Sequence, residues 1–186
     1  MLQQIKSYIK FLFHSKNEHG VHSPFVFDLV TKCFYDKTKF PEYSHLKNNS
    51  KRARLFFRII RYFKPKTILE IENPTELDTN LFSSEITSIE EFQKNKISKN
   101  DNAYDLVYFN KNQSQKSTLE YFEMLLPTVT NDSVWIINDI HESIENENTW
   151  EIIKKHYKVK VTIDTFHFGM VFFRAEQEKE HFVIRV

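Results

Sequence analysis

The first third of the chain shows the apolar spacing of helices. Over residues 2–14, apolar side chains recur every three or four positions, which predicts an amphipathic helix. Its apolar face consists of Ile5, Ile9, Leu12 and Phe13. A serine that can act as an N-cap precedes each of two further helices, expected over residues 24–35 and from Ser50 to about Phe63. These helices predict an N-terminal helical cap, residues 1–64.

Beyond residue 64 the pattern changes to short apolar runs separated by helical stretches. Strands are expected at residues 67–71, 85–90, 105–110, 133–139, 159–165 and 168–174, with a last one in 181–186. Helices are expected at 115–126 and 143–157. This alternation predicts an α/β domain over residues 65–186, one compact unit with a mostly parallel sheet and an antiparallel terminal hairpin.

The composition of the chain excludes several classes of function. The chain of 186 residues has two glycines, Gly20 and Gly169, so it contains no glycine-rich phosphate loop. Its one cysteine, Cys33, excludes an internal disulfide and favours a reducing compartment, so we expect a cytoplasmic protein. No apolar run is long enough to predict a transmembrane helix, and the net charge of +1 gives no overall polyanion signal.

The candidate chemistry lies where the predicted strands end, because ligands of open parallel sheets bind at the carboxyl ends of the strands. The polar residues at these ends are Glu70, Glu90, Asn110, Asn138, Asp139 and His141. Asp139 and His141 are the candidate catalytic pair, with either one as the general base. A metal site is not predicted, because two amides and one carboxylate form a weak ligand set for a hard cation.

Residues 51–66 carry seven basic side chains and no acid. The stretch could bind nucleic acid or another anionic surface, chiefly through Lys51, Arg52, Arg54, Arg58 and Arg61. We favour the alternative that these side chains form the solvated side of an amphipathic helix. Likewise, the first helix could touch a membrane surface with its lysines, but packing on the core or on a partner chain is favoured.

Several segments resemble the class I S-adenosylmethionine (SAM)-dependent methyltransferases, in particular a group of them in the Bacteroidetes. These segments are HGVHSPFVFDLV (19–30), KPKTILEI (64–71), DLVYFN (105–110), SVWIINDIH (133–141) and EKEHFVIRV (178–186). The resemblance implies a Rossmann-like sheet and SAM as the cofactor. It also implies that Glu70 contacts the cofactor and that Glu90 holds the ribose hydroxyls.

The chain departs from the family at the positions that serve the cofactor. The turn after the first strand reads Glu72–Glu76 without glycine, and Asn110 and Asn138 stand where the family has acids. Only residues 91–103 connect the second strand to the next, which is too short for two crossovers, so the family's third strand is inferred to be lost. The expected sheet order, in the family's numbering, is 2-1-4-5 followed by the hairpin.

These departures predict a degenerate methyltransferase-like protein with weak or no SAM binding. Such a protein would act as a binding or scaffold partner, either of itself or of an active paralogue. One alternative is an active SAM-dependent methyltransferase of a small molecule or a macromolecule. Another is an RNA- or anion-binding module that uses residues 51–66.

Overall fold

The computed structural model describes residues 2–46, 50–71, 88–92, 103–110 and 114–186, with residues 88–92 described as backbone only. The helices are α1 (Leu2–His14), α2 (Pro24–Leu29), α3 (Lys51–Phe63), α4 (Gln115–Leu125) and α5 (Ile144–Lys155). Helix α2 continues as a π-helical turn over Val30–Phe34. All five helices lie where the spacing of apolar residues predicts them.

The strands are β1 (Thr67–Ile71), β2 (Ser88–Phe92), β3 (Leu106–Phe109), β4 (Val134–Asn138), β5 (Val161–Asp164), β6 (Phe168–Phe172) and β7 (Glu180–Val183). They form one sheet in the order β2-β1-β3-β4-β6-β5-β7. Only β6 among these strands is antiparallel to its neighbours, so the sheet is mostly parallel and Rossmann-like. The predicted order and hairpin are confirmed, with the parallel strand β7 as the outermost member on the hairpin side.

Serine side chains start four of the helices. The hydroxyl oxygens of Ser23, Ser50, Ser114 and Ser143 accept hydrogen bonds from the backbone N–H three residues later. These bonds satisfy N–H groups that have no partner within the helix. Helix α3 ends at Lys64, which has a left-handed φ of 48°, directly before Pro65. Local sequence signals therefore fix where these helices begin and where α3 ends.

The sheet is buried on both faces by two separate hydrophobic clusters. On one face, side chains such as Ile68 and Ile136 pack with α2, α3 and the π-helical turn. On the other face, residues such as Leu69 and Trp135 pack with α4 and α5. Neighbouring strand residues thus point to opposite clusters, which explains why the strands are continuous apolar runs. Residues of the predicted cap and of the predicted α/β domain share the first cluster.

Helix α1 turns its apolar face away from the rest of the fold. Ile5, Ile9, Leu12 and Phe13 are exposed, and Phe13 keeps 84% of its surface accessible. Among the described side chains of α1, the buried ones are Ser7 and Phe11, which is 6% exposed. The predicted helix is therefore confirmed, its apolar face does not pack on the core, and packing on a partner chain stays a prediction. Helical periodicity identifies an apolar stripe, but it does not say what covers that stripe.

The segment after α1 is tied to the last strand. The Lys16 N–H donates to the carbonyl of Val183 (2.8 Å), and the Arg185 N–H donates to the carbonyl of Lys16 (3.2 Å). Tyr35 adds a hydrogen bond from its hydroxyl to the carbonyl of Arg185 (2.9 Å). These bonds bring α1 and the residues that follow β7 to the same side of the molecule.

Some predictions concern residues outside the described ranges. The turn at 72–76 and most of the short connection at 91–103 lie there, so the loss of the third strand stays a prediction. Within the described sheet, β2 is an outermost strand. The boundary between residues 64 and 65 likewise stays a prediction. Among the described helices, none combines the length and the apolar character needed to cross a bilayer.

Candidate functional site

The carboxyl end of β4 is held by an arginine from α3. Arg52 Nη1 donates to Asp139 Oδ1 at 2.9 Å, and Nη2 donates to Asn138 Oδ1. Both side chains of the Arg52–Asp139 pair are largely buried. The guanidinium also lies over the ring of Phe168, at 5.4 Å from the centroid. Asp139, predicted as a catalytic residue, is therefore engaged in an internal ion pair.

The backbone of Asp139 makes a tight turn out of the strand. Its φ is 50°, in the left-handed region, where aspartate is among the better tolerated residues. The Asp139 N–H donates to the carbonyl of His167 (2.8 Å), and Asn146 Nδ2 donates to the carbonyl of Asp139 (2.9 Å). These contacts fix the direction in which the Asp139 carboxylate leaves the sheet.

His141, the second predicted catalytic residue, lies between two carboxylates. Its Nε2 is 2.7 Å from Asp164 Oδ2, and its Nδ1 is 3.0 Å from Glu147 Oε1. Burial alone would lower the pKa of His141, but the hydrogen bonds and charges of Asp164 and Glu147 outweigh it and raise that pKa. The structure therefore favours a protonated imidazolium that donates to both carboxylates.

The pKa of Glu147 is shifted in the opposite direction, to lower values. Burial favours its neutral form, but the hydrogen bonds of Ser7 and His141 and the charges of His141 and Lys10 lower the pKa of Glu147. Ser7 and Lys10 belong to α1 and Glu147 lies in the first turn of α5, so these interactions link the two helices. Asp164 is anchored as well, because its Oδ1 accepts the N–H of Phe166 at 2.8 Å.

The imidazole ring of His141 is also part of an aromatic cluster. The ring of Phe166 stacks on it with a centroid separation of 5.2 Å and an interplanar angle of 13°. Tyr8 and Phe11 of α1 meet Phe166 at 4.9 and 5.4 Å. Phe166 has a φ of 71°, which is unusual for a bulky residue, so the β5–β6 turn holds it in a strained conformation.

Two cavities flank this network. One of about 30 Å³ lies at the ends of β3 and β4, between Asn110, Asn138 and Asp139. The other, about 300 Å³, lies between α1, α3 and the β5–β6 turn and is lined by Arg52, Phe166 and other residues. His167, at the wall of the larger cavity, is uncharged at neutral pH, because burial and then the charge of Arg52 lower its pKa.

The predicted cofactor residues lie on adjacent strands. Glu70 is the fourth residue of β1, with 1% of its surface accessible, and it pairs in register with Tyr108 of β3. Strand β2 extends to Phe92, so Glu90 is in the middle of this strand and opposite Leu69, not at the strand end. The predicted end of the second strand is therefore wrong by two residues. The cofactor roles of Glu70 and Glu90 stay predictions.

The basic side chains of α3 are less solvated than predicted. Arg58 donates to the carbonyls of Cys33 and Phe34, both at 3.0 Å. Arg61 lies over the ring of Phe40, 4.7 Å from its centroid. With Arg52 committed to Asp139, the expected solvated helix face is wrong for Arg52 and Arg58, whereas Arg61 is exposed, as expected. Long cationic side chains instead cover the joints between α3 and its neighbours.

Cys33 is buried, and burial raises the pKa of its thiol to about 12. The thiol is therefore protonated at neutral pH and unsuited to nucleophilic chemistry. Within the described residues, no three histidine, cysteine, aspartate or glutamate side chains are arranged to hold a metal ion.

No protein-family model and no curated protein matches the chain. Solved structures similar to it include the SAH-bound methyltransferase PaMTH1 of Podospora anserina, at 9% identity and a TM-score of 0.49, with 91% of this chain and 94% of that chain covered. The O-methyltransferase of Bacillus cereus in complex with SAH has 12% identity and a TM-score of 0.46, with coverages of 69% and 85%. TomG of Streptomyces achromogenes, an O-methyltransferase in complex with SAM, has 11% identity and a TM-score of 0.46, with coverages of 74% and 92%.

The residues that organise this site were only partly visible in the sequence. Asp139 and His141 follow a predicted strand, and they do lie at one edge of the sheet. Asp164 and Glu147 escaped attention because one falls at the end of a hairpin strand and the other inside a helix, where carboxylates are common. No local sequence signal marked Asp164 or Glu147, because the left-handed conformation of the neighbouring Phe166 is visible only in the structure.

Proposed function

We propose that this chain is a methyltransferase-like protein that binds SAM weakly or not at all and acts by binding other molecules. The observation that carries the proposal is the state of the two candidate catalytic groups. Asp139 is paired with Arg52, and both ring nitrogens of His141 face carboxylates. A general base needs an unprotonated atom within hydrogen-bond reach of the substrate, and Asp139 Oδ1 and both ring nitrogens of His141 are used internally here.

The cavity at the ends of β3 and β4 supports the same proposal. Its volume of about 30 Å³ is room for about one water molecule, whereas small-molecule sites occupy about 300 Å³ or more. This cavity is therefore too small to hold SAM. The glycine-free sequence at 72–76 and the amides Asn110 and Asn138 point in the same direction.

A binding role requires an accessible surface of suited chemistry, and α1 offers one. Ile9, Leu12 and Phe13 form an exposed apolar stripe on this helix. Contiguous exposed apolar surface is typical of interaction sites. We propose a second copy of this chain or an active paralogue as the partner, as the degenerate character of the sequence suggests.

Calorimetric titration with SAM and with SAH tests the loss of cofactor binding. We expect no saturable heat for either compound in the micromolar range. A low-micromolar dissociation constant for either one would overturn the proposal and favour the alternative, an active SAM-dependent methyltransferase.

If binding is observed, two variants locate it. In that alternative Glu90 holds the ribose, so Glu90→Gln should weaken SAM binding, and Glu70→Gln reports on the buried acid of β1. Lys179→Gln is the matched control, because Lys179 is exposed on the far side of the hairpin and bonds only backbone carbonyls of residues 155 and 156.

A further inference from the structure

The larger cavity has the size of a small-molecule site. Its volume of about 300 Å³ is at the lower end of the range in which such ligands bind. It opens between α1, the first two turns of α3, the β5–β6 turn and Arg185. The pocket therefore combines surfaces from distant parts of the chain. None of the predicted catalytic or cofactor residues lines it, whereas four of the basic residues predicted to bind anions do, namely Lys51, Arg52, Arg54 and Arg58.

The pocket carries an excess of positive charge. Among the described residues, five cations line it and no aspartate or glutamate does; the cations are Lys51, Arg52, Arg54, Arg58 and Arg185. Asp139 offsets the charge of Arg52 from outside the pocket, and Arg58 bonds only neutral groups. The side chains of Lys51 and Arg185 form no hydrogen bond or ion pair with any residue in the described ranges. Like charges gathered in this way repel one another, and a bound anion would relieve that repulsion.

The opposite wall of the pocket is aromatic. Tyr8 and Phe11 come from α1, and Phe166 comes from the β5–β6 turn. Phe166 is fixed in place by the stacked His141 and by the hydrogen bond from its N–H to Asp164. A wall held in a strained backbone conformation is a preformed surface, so it loses little entropy when a ligand packs on it.

We infer that this pocket binds a small organic anion. Its phosphate or carboxylate group meets the cations of α3 and Arg185, and its aromatic or apolar part lies against Tyr8, Phe11 and Phe166. Guanidinium and ammonium groups bind such oxyanions through charge-assisted hydrogen bonds, and the N-terminal end of α3 adds a favourable dipole. This inference goes beyond the proposed loss of SAM binding and does not depend on it.

The shape of the site favours a small molecule over a nucleic-acid strand. A strand of several nucleotides requires an extended groove with repeated aromatic platforms. Here the cations and the aromatic rings surround a single concave space, and Arg61, in the same basic stretch, lies over Phe40 and outside this pocket. The chemistry therefore fits one anionic group beside one apolar group.

Thermal unfolding of the full chain at low ionic strength tests the inference with three probes: phenyl phosphate, inorganic phosphate and benzyl alcohol. A ligand that binds only the folded state raises Tm in a saturable way. We expect the largest rise with phenyl phosphate, a smaller one with inorganic phosphate and none with benzyl alcohol. No rise with phenyl phosphate at about 10 mM, or an equal rise with benzyl alcohol, would overturn the inference.

Variants then locate the site. Lys51→Gln and Arg185→Gln should each weaken phenyl phosphate binding about 3- to 10-fold without altering the unliganded Tm, since neither side chain has an internal partner. Tyr8→Ala should reduce the affinity for phenyl phosphate to that for inorganic phosphate. Lys66→Gln is the matched control, because it removes a charge of the same basic stretch outside the pocket.

The control also separates this site from a diffuse basic surface. If Lys66→Gln weakens phenyl phosphate binding as much as Lys51→Gln does, the pocket is not the site. If a single-stranded oligonucleotide binds equally well to both variants and phenyl phosphate does not compete with it, the basic stretch is a nucleic-acid surface and the inference is wrong. A positive SAM titration would leave both outcomes unchanged.

Discussion

Arg52 and Asp139 lie 87 positions apart in the chain and form one ion pair at 2.9 Å across the carboxyl edge of the sheet. The pair joins the first turn of α3 to the turn that follows β4. It neutralises the carboxylate that would otherwise be the best candidate for a general base at this edge. It also leaves the arginine on the wall of the larger pocket, where its charge contributes to the positive field.

Replacement of Arg52 by methionine should destabilise the fold. The variant keeps the side chain's apolar bulk and leaves the Asp139 carboxylate without its cationic partner. We expect a loss of about 1–3 kcal/mol in the free energy of unfolding, less than for a fully buried pair because both side chains retain some solvent contact. Urea unfolding measures this loss.

Two further variants separate the contribution of the Arg52 charge from that of its hydrogen-bond geometry. Arg52→Lys should have an intermediate effect, because a lysine keeps the charge but cannot bond Asp139 and Asn138 at the same time with a planar fork. Lys51→Gln, one position away, should change stability by less than about 0.5 kcal/mol. A stability of Arg52→Met equal to that of the parent protein would show that the pair contributes nothing.

The pH dependence of stability should carry the signature of His141. Its pKa is raised in the folded state, so protonation of this residue stabilises the fold fully below the ordinary histidine pKa of about 6.5. That contribution is lost as the pH rises through the raised pKa. The drop in Tm from pH 6 to alkaline pH should therefore be smaller in His141→Gln than in the parent protein.

A comparison with variants is needed to isolate the effect of His141, because other histidines change the stability with pH in the opposite direction. Burial lowers the pKa of His156, His167 and His181, so each of them costs stability as the pH falls below about 6.5. His19→Gln serves as the control, since that side chain is 81% exposed. Differential scanning calorimetry of the three proteins gives the result, and parallel Tm curves for His141→Gln and the parent would refute the assignment.

Substitution of Gly169 by alanine should destabilise the fold. A Cβ at this position of β6 would lie 2.7 Å from Trp150 Cζ3 and 2.9 Å from Ile140 Cγ2, both in the packed core between the sheet and α5. Overpacking of this kind costs about 1–3 kcal/mol. Thermal or urea unfolding measures the cost.

Gly20→Ala is the control for Gly169→Ala. There the nearest atoms to the added Cβ belong to the exposed side chain of Lys16. Its Cδ at 2.8 Å and Cγ at 3.2 Å can rotate away, and only the Lys16 Cβ at 3.0 Å requires a small backbone shift. We expect a change of less than about 1 kcal/mol. A double variant with Trp150→Leu should recover part of the loss at Gly169, and strict additivity of the two changes would contradict the predicted clash.

Helix α1 offers a test of its orientation. Phe11→Ala should cost about 3 kcal/mol, because Phe11 is buried against the ring of Phe166. Phe13→Ser should change the stability by less than about 0.5 kcal/mol, because Phe13 is almost fully exposed. Equal losses from the two changes, measured by urea unfolding, would mean that the predicted apolar face is buried after all.

The sequence predicted the elements well because their signals are local. Serine caps, the break at Pro65 and the apolar runs of β1, β3 and β4 depend on neighbours in the chain, and the parallel order follows from the alternation of strands and helices. The amphipathic spacing of α1 predicted the helix but not that its apolar face points away from the core, because burial depends on which element packs nearby.

The candidate site was predictable only in part, for a related reason. Strand ends gather at one edge, so Asp139 and His141 could be placed there from the sequence. Their states depend on partners that arrive from elsewhere, Arg52 from α3 and Asp164 from β5. Nothing in the local sequence around Arg52 distinguishes a lysine or arginine that faces solvent from one that reaches a carboxylate across the fold.

The hydrogen bonds between Lys16 and the residues that follow β7 have a consequence for the order of events during synthesis. A ribosome releases α1 and α3 long before it has made Arg185, yet Arg185 lines the same pocket and pairs with the segment after α1. The segment after α1 therefore cannot form these hydrogen bonds until Arg185 has been made. The pocket closes only after that point, and truncation of residues 184–186 should open it while leaving the central strands paired.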